Sequence, residues 1–205
     1  MITLKALFSA KCDFIAGASS IEQIPNNIFM PEVAFVGRSN VGKSSLINAV
    51  VGQRDCARVS KLPGRTQQIN FFTLQEKISI TDLPGYGYAA VSKKTRRSWD
   101  HLILDYLRGR QNLRRIFLLL DSRHGIKKND DEIMDILDES AVVYQVVLTK
   151  IDQNPRHSDM VKQVEEQIAT RTAAFPYVIP TSAEKKIGIE SLQMEMVSLV
   201  NNQKN

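Results

Sequence analysis

The sequence has few cysteines and histidines, and it has no long apolar run. It has two cysteines, Cys12 and Cys56, and no C-x-x-C pair, so we expect neither a disulfide framework nor a zinc site. Its histidines, His101, His124 and His157, have no metal-like spacing, and we interpret them as surface residues. Neither a membrane-spanning apolar run nor a signal peptide is visible, which predicts a cytoplasmic protein in a reducing compartment, without a membrane partner.

Internal repeats and low-complexity segments are missing too, and 205 residues suit one domain with a large core. A hydrophobic content of 43% and a charged content of 24% are those of an ordinary globular protein. The net charge of +5 favours an anionic partner only weakly. We divide the chain into an N-terminal extension packed on the core (1–31), one domain (32–201) and a short tail (202–205).

Strand-like and helix-like segments alternate along the chain. Apolar runs predict buried strands at 33–36, 116–121, 141–148 and 175–180, and the short link between 69–74 and 77–81 predicts a hairpin. The segments between these strands have helical periodicity, and Ser158 is the expected N-cap of the helix that follows the strand at 141–148. The N-terminal extension is expected to add one edge strand. This alternation predicts an α/β layered domain with a mostly parallel sheet, whose ligands bind beyond the C-terminal strand ends.

One loop, between the strand at 33–36 and the helix predicted at 45–51, fits G-x-x-x-x-G-K-[ST] at every fixed position. Its glycines let backbone N–H groups turn onto phosphate oxygens, and the helix N-terminus adds partial positive charge. Lys43 is expected to reach the outer phosphates, and the Ser44 hydroxyl to hold Mg²⁺. The phosphate-binding residues predicted here are Gly37, Arg38, Ser39, Asn40, Val41, Gly42, Lys43, Ser44 and Ser45.

A second motif, D-x-x-G, follows the hairpin and comprises Asp82, Leu83, Pro84 and Gly85. Beside a phosphate site, the Asp82 carboxylate can orient a Mg²⁺-bound water, and the Gly85 N–H can bond the γ-phosphate. Alone the pattern is weak, because a solvated turn aspartate is common. Its position after the phosphate loop favours the functional interpretation.

The polar segment 53–68 is a candidate moving loop beside the phosphates. Thr66 follows Gly64 and Arg65 just before a strand, and it is the candidate for a second Mg²⁺ hydroxyl. Its carbonyl and N–H can also follow the γ-phosphate. Ser60 is the competing choice, less well placed relative to the strand.

The motif T-K-x-D at 149–152 is the candidate for recognition of a nucleotide base. The Asp152 carboxylate can accept hydrogen bonds from N1–H and N2–H₂ of guanine, a pair that adenine lacks. The Lys150 stem can lie over the purine, and Ser182 and Ala183, after Thr181, can offer backbone N–H groups to guanine O6. Four motifs in this order predict GTP and GDP, with Mg²⁺, as ligands.

From residue 31 to about 188 the chain resembles the translation-factor-related class of P-loop GTPases. More narrowly, GRSNVGKSSLIN at 37–48, PGRTQ at 63–67 and DLPGYGY at 82–88 resemble the bacterial EngB (YihA/YsxC) family. The resemblance implies a three-layer α/β/α sandwich whose mostly parallel six-stranded sheet has one antiparallel edge strand. It also implies a monomeric GTP/GDP switch needed for assembly of the large (50S) ribosomal subunit, with loss linked to defective septation.

Three positions bear on how such a site would work. Thr149 stands where many GTPases have Asn, and it reproduces only part of what an amide bridges, so binding is expected to be weaker at most. Tyr86 stands where many GTPases place a water-orienting Gln, so intrinsic hydrolysis is expected to be slow. Asn40 either holds K⁺ near the phosphates, as in related GTPases, or bonds nearby backbone. The residues expected to act in hydrolysis are Lys43, Asn40, Thr66 and Gly85.

Two further questions concern partners and the competing function. Each basic group taken alone is usually a solvated face, but with the family resemblance the groups suggest contact with ribosomal RNA. The competing function is a nucleotide-dependent small-molecule kinase, which predicts a substrate pocket with its own acid or base. We find no such constellation. The basic groups are Lys93, Lys94, Arg96, Arg97, Arg108, Arg110, Arg114, Arg115, Arg123, His124, Lys127, Lys128, Lys185 and Lys186.

Overall fold

A computed structural model describes residues 1–26, 29–57, 68–87 and 93–202, with the backbone alone for 93–100. The predictions for Ser60, Gly64, Arg65 and Thr66 therefore lie outside the described residues. The strands are β1 Cys12–Ala18, β2 Glu32–Gly37, β3 Ile69–Leu74, β4 Ile78–Asp82, β5 Leu113–Asp121, β6 Tyr144–Thr149 and β7 Ile179–Pro180. The helices are α1 Leu4–Phe8, α2 Lys43–Val51, α3 Lys93–Gly109, α4 Lys128–Glu139, α5 His157–Ile168 and α6 Ile189–Asn201, with 3₁₀ turns at Ile21–Gln23 and Ile151–Gln153.

The described strands form one sheet of seven, in the order β1-β3-β4-β2-β5-β6-β7. From β4 to β7 the neighbours pair in parallel, whereas β3 is antiparallel to both β1 and β4. The predicted hairpin and the edge strand of the N-terminal extension are confirmed. The predicted six-stranded, mostly parallel sheet of the domain is present as β2 to β7 with β3 antiparallel, and β1 of the extension pairs with the open side of β3 as a seventh strand.

The two faces of the sheet are buried under two sets of helices. Alternate residues of β2 and β5 point to opposite sides, so Phe35 and Phe117 pack with α1, α2 and α6. Val36 and Leu118 pack on the other face with α3, α4 and α5. The predicted three-layer α/β/α sandwich is thus confirmed, and the continuous apolar runs of β2 and β5 reflect burial on both faces.

Contacts from several points hold the N-terminal segment on this sandwich. Leu7 of α1 is fully buried in the core beneath α2 and α6. The backbone of Ile2 exchanges hydrogen bonds of 2.7 and 3.0 Å with the Asn201 side-chain amide. Farther along, Arg110 Nη1 donates to the Pro25 carbonyl at 2.7 Å, and the same guanidinium pairs with buried Glu32.

Some predicted boundaries were wrong. Helix α5 begins at His157, after an Arg156 N-cap whose side chain makes no capping bond; the Asn154 side chain instead accepts from the Arg156 N–H at 3.0 Å. The last strand is only Ile179–Pro180, because its ladder pairs only with Val147 and Leu148 of β6. Among the described residues, no helix is both long and apolar enough to cross a bilayer.

Candidate functional site

The topology brings the predicted motifs to one edge of the sheet. Gly37 ends β2, Asp82 ends β4 and Thr149 ends β6, and these strands run in parallel. Asp121, at the end of β5 between β2 and β6, joins them. Carboxyl ends of parallel strands are where ligands bind in such sheets.

The phosphate loop is shaped by two glycines. A Cβ on Gly37 would lie 2.9 Å from Val41 Cγ1 and 3.0 Å from the Leu119 carbonyl oxygen, so a side chain cannot fit there. Gly42 caps α2 with φ of 102°, a conformation that side chains disfavour. Helix α2 then begins at Lys43, earlier than predicted, so the N–H groups of its first turn face the loop without intrahelical acceptors.

The D-x-x-G segment runs directly beside this loop. The Ser39 N–H donates to the Tyr86 carbonyl at 3.1 Å, and the Tyr86 N–H donates to the Gly37 carbonyl at 3.3 Å. Gly85 approaches so closely that an added Cβ would lie 3.3 Å from Ser39 Oγ. The backbone of the second motif is therefore hydrogen-bonded to that of the first.

Lys43 and Asp82 form a direct ion pair across the site. Their side chains are only 12% and 8% exposed, so each carries its charge in a place with little water. The two charges expected to serve a nucleotide phosphate and its metal thus neutralise each other. Both must exchange partners when an anion and a cation bind between them.

The oxygens near this pair suit Mg²⁺. Ser44, in the first turn of α2, supplies a hydroxyl, and Asp82 a carboxylate; such hard oxygen donors, completed by water and phosphate, are what Mg²⁺ prefers. Thr66, the predicted second hydroxyl, lies outside the described residues. The residues present therefore fit the metal that GTPases use with their nucleotide.

Several predicted site residues act through the backbone alone or through packing. Leu83 is 1% exposed, its side chain lies in the core, and its N–H donates to the Phe35 carbonyl at 3.0 Å. Val41 is 4% exposed and packs in the other core cluster. Their side chains therefore support the site from behind, whereas Ser45 is exposed beside it.

Tyr86 is held by a residue that the sequence did not single out. Its hydroxyl donates to Asp130 Oδ1 at 2.7 Å, and Asp130 Oδ2 accepts from the Lys127 N–H at 2.8 Å. Burial and the adjacent carboxylate raise the pKa of Tyr86 well above its ordinary value, so it remains a neutral donor. Burial likewise raises the pKa of Asp130, although hydrogen bonds from Tyr86 and Lys127 act against this.

The base end is linked to the phosphate loop by Thr149. Its hydroxyl lies 2.7 Å from the Val41 carbonyl and 3.2 Å from the Leu120 carbonyl. A hydroxyl has one hydrogen to share between two acceptors, whereas an amide would have two. This agrees with the expectation that Thr149 reproduces only part of what an Asn bridges.

Lys150 crosses from the base end to the phosphate loop. Its Nζ donates to the Asn40 carbonyl at 2.7 Å and to Asp121 Oδ2 at 3.1 Å. Its Cε would lie 3.6 Å from a Cβ on Gly42, so the stem lies along the loop. Asp152 follows in an exposed 3₁₀ turn, where its carboxylate is open to a ligand.

Asp121 is a second residue that the motifs did not indicate. It accepts from Arg123 Nε at 2.9 Å and Nη2 at 2.7 Å, besides its bond from Lys150. Burial alone would raise the pKa of Asp121, but the hydrogen bonds from Arg123 and Lys150 outweigh it and hold that pKa well below its usual range. Asp121 therefore stays ionised and fixes the Lys150 ammonium over the loop.

The structure reduces the number of backbone N–H groups that could donate to guanine O6. Thr181 is fully buried, and its N–H and hydroxyl both donate to the Leu148 carbonyl, at 2.7 and 2.9 Å. The Ser182 N–H donates to the Ile187 carbonyl at 3.0 Å, so the prediction that it is available to the base was wrong. Ala183 is the member of this segment that stays a candidate donor.

Asn40 has an exposed side chain and φ of 64°, a left-handed conformation that Asn tolerates better than most residues. Its carbonyl accepts from Lys150. Backbone geometry is therefore one physical reason for Asn here, and binding of K⁺ stays a separate prediction.

Two members of the predicted basic groups are not solvated. Arg115 is 8% exposed, pairs with Glu195 at 2.7 Å and lies over the Phe175 ring at 4.0 Å. Arg110 is buried against Glu32. Both are therefore unavailable to an RNA backbone, and the side chains at 93–100 lie outside the described residues. The described members of these groups that are exposed are Arg108, Arg114, Arg123, His124, Lys127, Lys128, Lys185 and Lys186.

Among solved structures, one described as a probable GTP-binding protein engB superposes with a TM-score of 0.68 at 24% identity, covering 84% of this chain and all of that chain. Era, in a complex with MgGDPNP and a segment of 16S ribosomal RNA, gives a TM-score of 0.65 at 22% identity, covering 83% of this chain and 56% of that one. At these identities the likeness establishes the fold.

Sequence comparison establishes the family. A family model described as 50S ribosome-binding GTPase matches residues 32–150. The probable GTP-binding protein EngB of Caulobacter vibrioides (strain NA1000 / CB15N) is 50% identical over 197 residues, 95% of this chain and 86% of that protein. Its counterpart in Gluconobacter oxydans (strain 621H) is 46% identical over 194 residues, 94% of this chain and 85% of that protein. The chain belongs to the EngB family of GTP-binding proteins, as its motifs predicted.

Proposed function

We propose that this protein is a slow GTP/GDP switch that acts in assembly of the 50S ribosomal subunit and is required for normal cell division and septation. The observation that carries the switch is the ion pair between Lys43 and Asp82. Because nucleotide and metal compete with this pair, binding changes the contacts at the end of β4. That strand end leads directly into the Gly85 segment, which is hydrogen-bonded to the phosphate loop.

In the proposed complex, Lys43 turns from Asp82 to the outer phosphates. The first-turn N–H groups of α2 and the backbone of 37–42 surround the inner phosphates. Ser44 and Asp82 would hold Mg²⁺, and the bound ion would neutralise phosphate charge. The Gly85 N–H bonds the γ-phosphate and is released when that group leaves.

Base choice in this proposal rests on Asp152, with Ala183 donating to guanine O6. The exposed Asp152 carboxylate accepts from two guanine donors, and it would be left unpaired by adenine. Lys150, held by Asp121 and the Asn40 carbonyl, provides the apolar stem for one ring face.

Slow hydrolysis in this proposal rests on Tyr86. A phenol has no amide to orient water, and its hydroxyl already donates to Asp130. Activation must then come from outside, from a ribosomal particle or from K⁺ held by Asn40. GTPase rates measured in KCl and in NaCl at equal ionic strength test the cation; equal rates would remove K⁺ from the proposal.

The ribosomal partner is supported by the description of the family model, 50S ribosome-binding GTPase. The exposed Arg123 pairs with Asp121 beside Lys150, Lys127 and Lys128 follow at the start of α4, and Lys185 and Lys186 follow the Ala183 segment. Such residues suit electrostatic contact with an RNA backbone.

Co-sedimentation with 50S and 30S subunits tests this partner, with GDP against a non-hydrolysable GTP analogue. We expect binding to 50S with the analogue, weaker binding with GDP and a steep decline as salt rises. Equal retention with both nucleotides, or preference for 30S, would contradict the proposed role.

A further inference from the structure

The two cysteines of the chain meet in the fold. Their Sγ atoms lie 3.0 Å apart and share a hydrogen bond, although 44 positions separate them in the sequence. Cys12 opens the edge strand β1 and is 4% exposed; Cys56 is half-buried and follows α2. Both are free thiols, outside the nucleotide site described above.

Each sulfur is carried by a fixed piece of backbone. Cys12 is paired with Leu74 in the ladder between β1 and β3. The segment around Cys56 is tied to α2 by buried Asn48, whose amide donates to the Arg54 and Ala57 carbonyls at 2.8 and 2.9 Å and accepts from the Ala57 N–H at 2.7 Å. The approach of the thiols is therefore a consequence of strand pairing and of this side-chain bridge.

The pair is asymmetric, as a pair of attacking and resolving thiols must be. Cys56 is partly open to solvent, whereas Cys12 is sealed between β3 and the core. The hydrogen bond between the two thiols lowers the pKa of Cys56, although burial acts against this. Bond formation requires the sulfurs to move about 1 Å closer, to an S–S distance of about 2.05 Å.

We propose that Cys12 and Cys56 form a reversible intramolecular disulfide when the protein meets a hydroperoxide. The Cys56 thiolate attacks the peroxide oxygen, the O–O bond breaks, and Cys56 becomes a sulfenic acid as water or an alcohol leaves. The Cys12 sulfur then attacks the sulfenic sulfur, and its proton leaves with the hydroxyl as water. Two thiols lose two electrons and two protons, and the peroxide is reduced.

The bond would join β1 to the segment that leaves the phosphate-loop helix. Ala57 alone separates Cys56 from residues 58–67, which contain Thr66 in the sequence. The site thus places a redox-dependent crosslink within the segment 53–68, which is the predicted moving loop. It requires no residue of the nucleotide site itself.

The test uses the full chain treated with hydrogen peroxide and then quenched. We expect both thiols to disappear together in a titration under denaturing conditions, with the chain monomeric on a non-reducing gel. Peptide mass spectrometry should find Cys12 linked to Cys56, two hydrogens lighter than the free peptides, and dithiothreitol should restore both thiols.

Cys12→Ser is the matched control, because it removes the resolving sulfur and keeps the side-chain size. In this variant dimedone should trap the Cys56 sulfenic acid, at least about tenfold more than in the wild type. In Cys56→Ser, Cys12 should resist the same exposure. Equal dimedone trapping in wild type and Cys12→Ser, independent loss of the two thiols, or disulfide-linked dimers would each overturn the proposal.

Discussion

The hydroxyl of Tyr86 donates a 2.7 Å hydrogen bond to the buried carboxylate of Asp130 on α4. Tyr86 follows the D-x-x-G motif directly, and only 7% of its surface is exposed. The side chain at the position of the usual water-orienting Gln therefore points into the protein. It connects the D-x-x-G segment to a helix, and this contact predicts separate effects on stability and on hydrolysis.

Replacement of Tyr86 by Phe should destabilise the fold while leaving hydrolysis nearly unchanged. The buried Asp130 loses a donor, which costs about 1–3 kcal/mol of the free energy of unfolding. GTP turnover should change less than about twofold, since a hydroxyl bonded to Asp130 does not serve the attacking water. Urea unfolding measures the change in stability, and phosphate release measures the change in GTP turnover. A tenfold loss of turnover at unchanged stability would assign the hydroxyl to the chemistry.

Asp130 should give the stability a distinctive pH dependence. Because burial raises its pKa in the folded state, the folded protein binds the proton more tightly than the unfolded chain does. This residue's contribution to stability therefore declines as the pH rises from its ordinary value of 3.8 to its raised folded value. Urea unfolding across that window should show Asp130→Asn gaining stability relative to the wild type.

Asp121→Asn is the control for that measurement, since the pKa of Asp121 is shifted in the opposite direction. Its ion pairs stabilise the fold fully above the ordinary value of 3.8 and less as the pH falls below it. The cost of Asp121→Asn should therefore shrink on acidification. Parallel pH profiles for the two variants would contradict both assignments.

Lys43→Ala should abolish GDP binding, weakening it by more than about 100-fold, because the phosphates lose their side-chain cation. It should also destabilise the ligand-free protein, since Asp82 is left nearly buried without its partner. Adding Asp82→Asn should restore part of the stability and none of the binding. Calorimetry and urea unfolding separate these effects; unchanged GDP affinity in Lys43→Ala would contradict the loop assignment.

Asp152→Asn should move the nucleotide preference from guanosine towards xanthosine. The amide can donate where the carboxylate accepted, and xanthine carries an oxygen at position 2 in place of the amino group. We expect the ratio of GDP to XDP affinity to fall at least about tenfold. Because Asp152 is exposed, the unfolding midpoint should not change. Retained guanine selectivity would count against its role.

Thr149→Val should weaken GDP binding about fivefold to tenfold. The substitution keeps the shape but removes the hydroxyl that lies 2.7 Å from the Val41 carbonyl, and a neutral hydrogen bond contributes about 1 kcal/mol. Thr149→Ser retains the hydroxyl and is the matched control. Nucleotide titration compares the three proteins. Similar losses in Val and Ser would attribute the effect to packing of the methyl group.

Much of the site could be predicted from the sequence because its parts are short and local. The loop at 37–44 requires glycines at fixed spacing between a strand and a helix, and the structure places it there. The alternation of apolar strands and amphipathic helices likewise predicted the sandwich. Parallel strand order then obliges the motifs at the ends of β2, β4 and β6 to meet at one edge.

Contacts between distant residues depend on tertiary packing, and local pattern does not report them. Asp130 lay in a helical segment without a motif, yet α4 places it against Tyr86, 44 positions away. Arg115 was interpreted as part of a basic surface, but its register in β5 buries it against Glu195. Register and helix placement are set by packing of whole elements, whereas periodicity reports only the face within one element.

The cysteines and the edge strand also separate what local sequence predicts from what tertiary packing decides. Composition alone argued against a disulfide framework, and no spacing rule relates residue 12 to residue 56. The sequence by itself determined the fold class, the phosphate loop and the family. Only the tertiary structure decided that β1 pairs with β3, that Lys43 faces Asp82 and that two sulfurs meet, because each depends on which strands become neighbours.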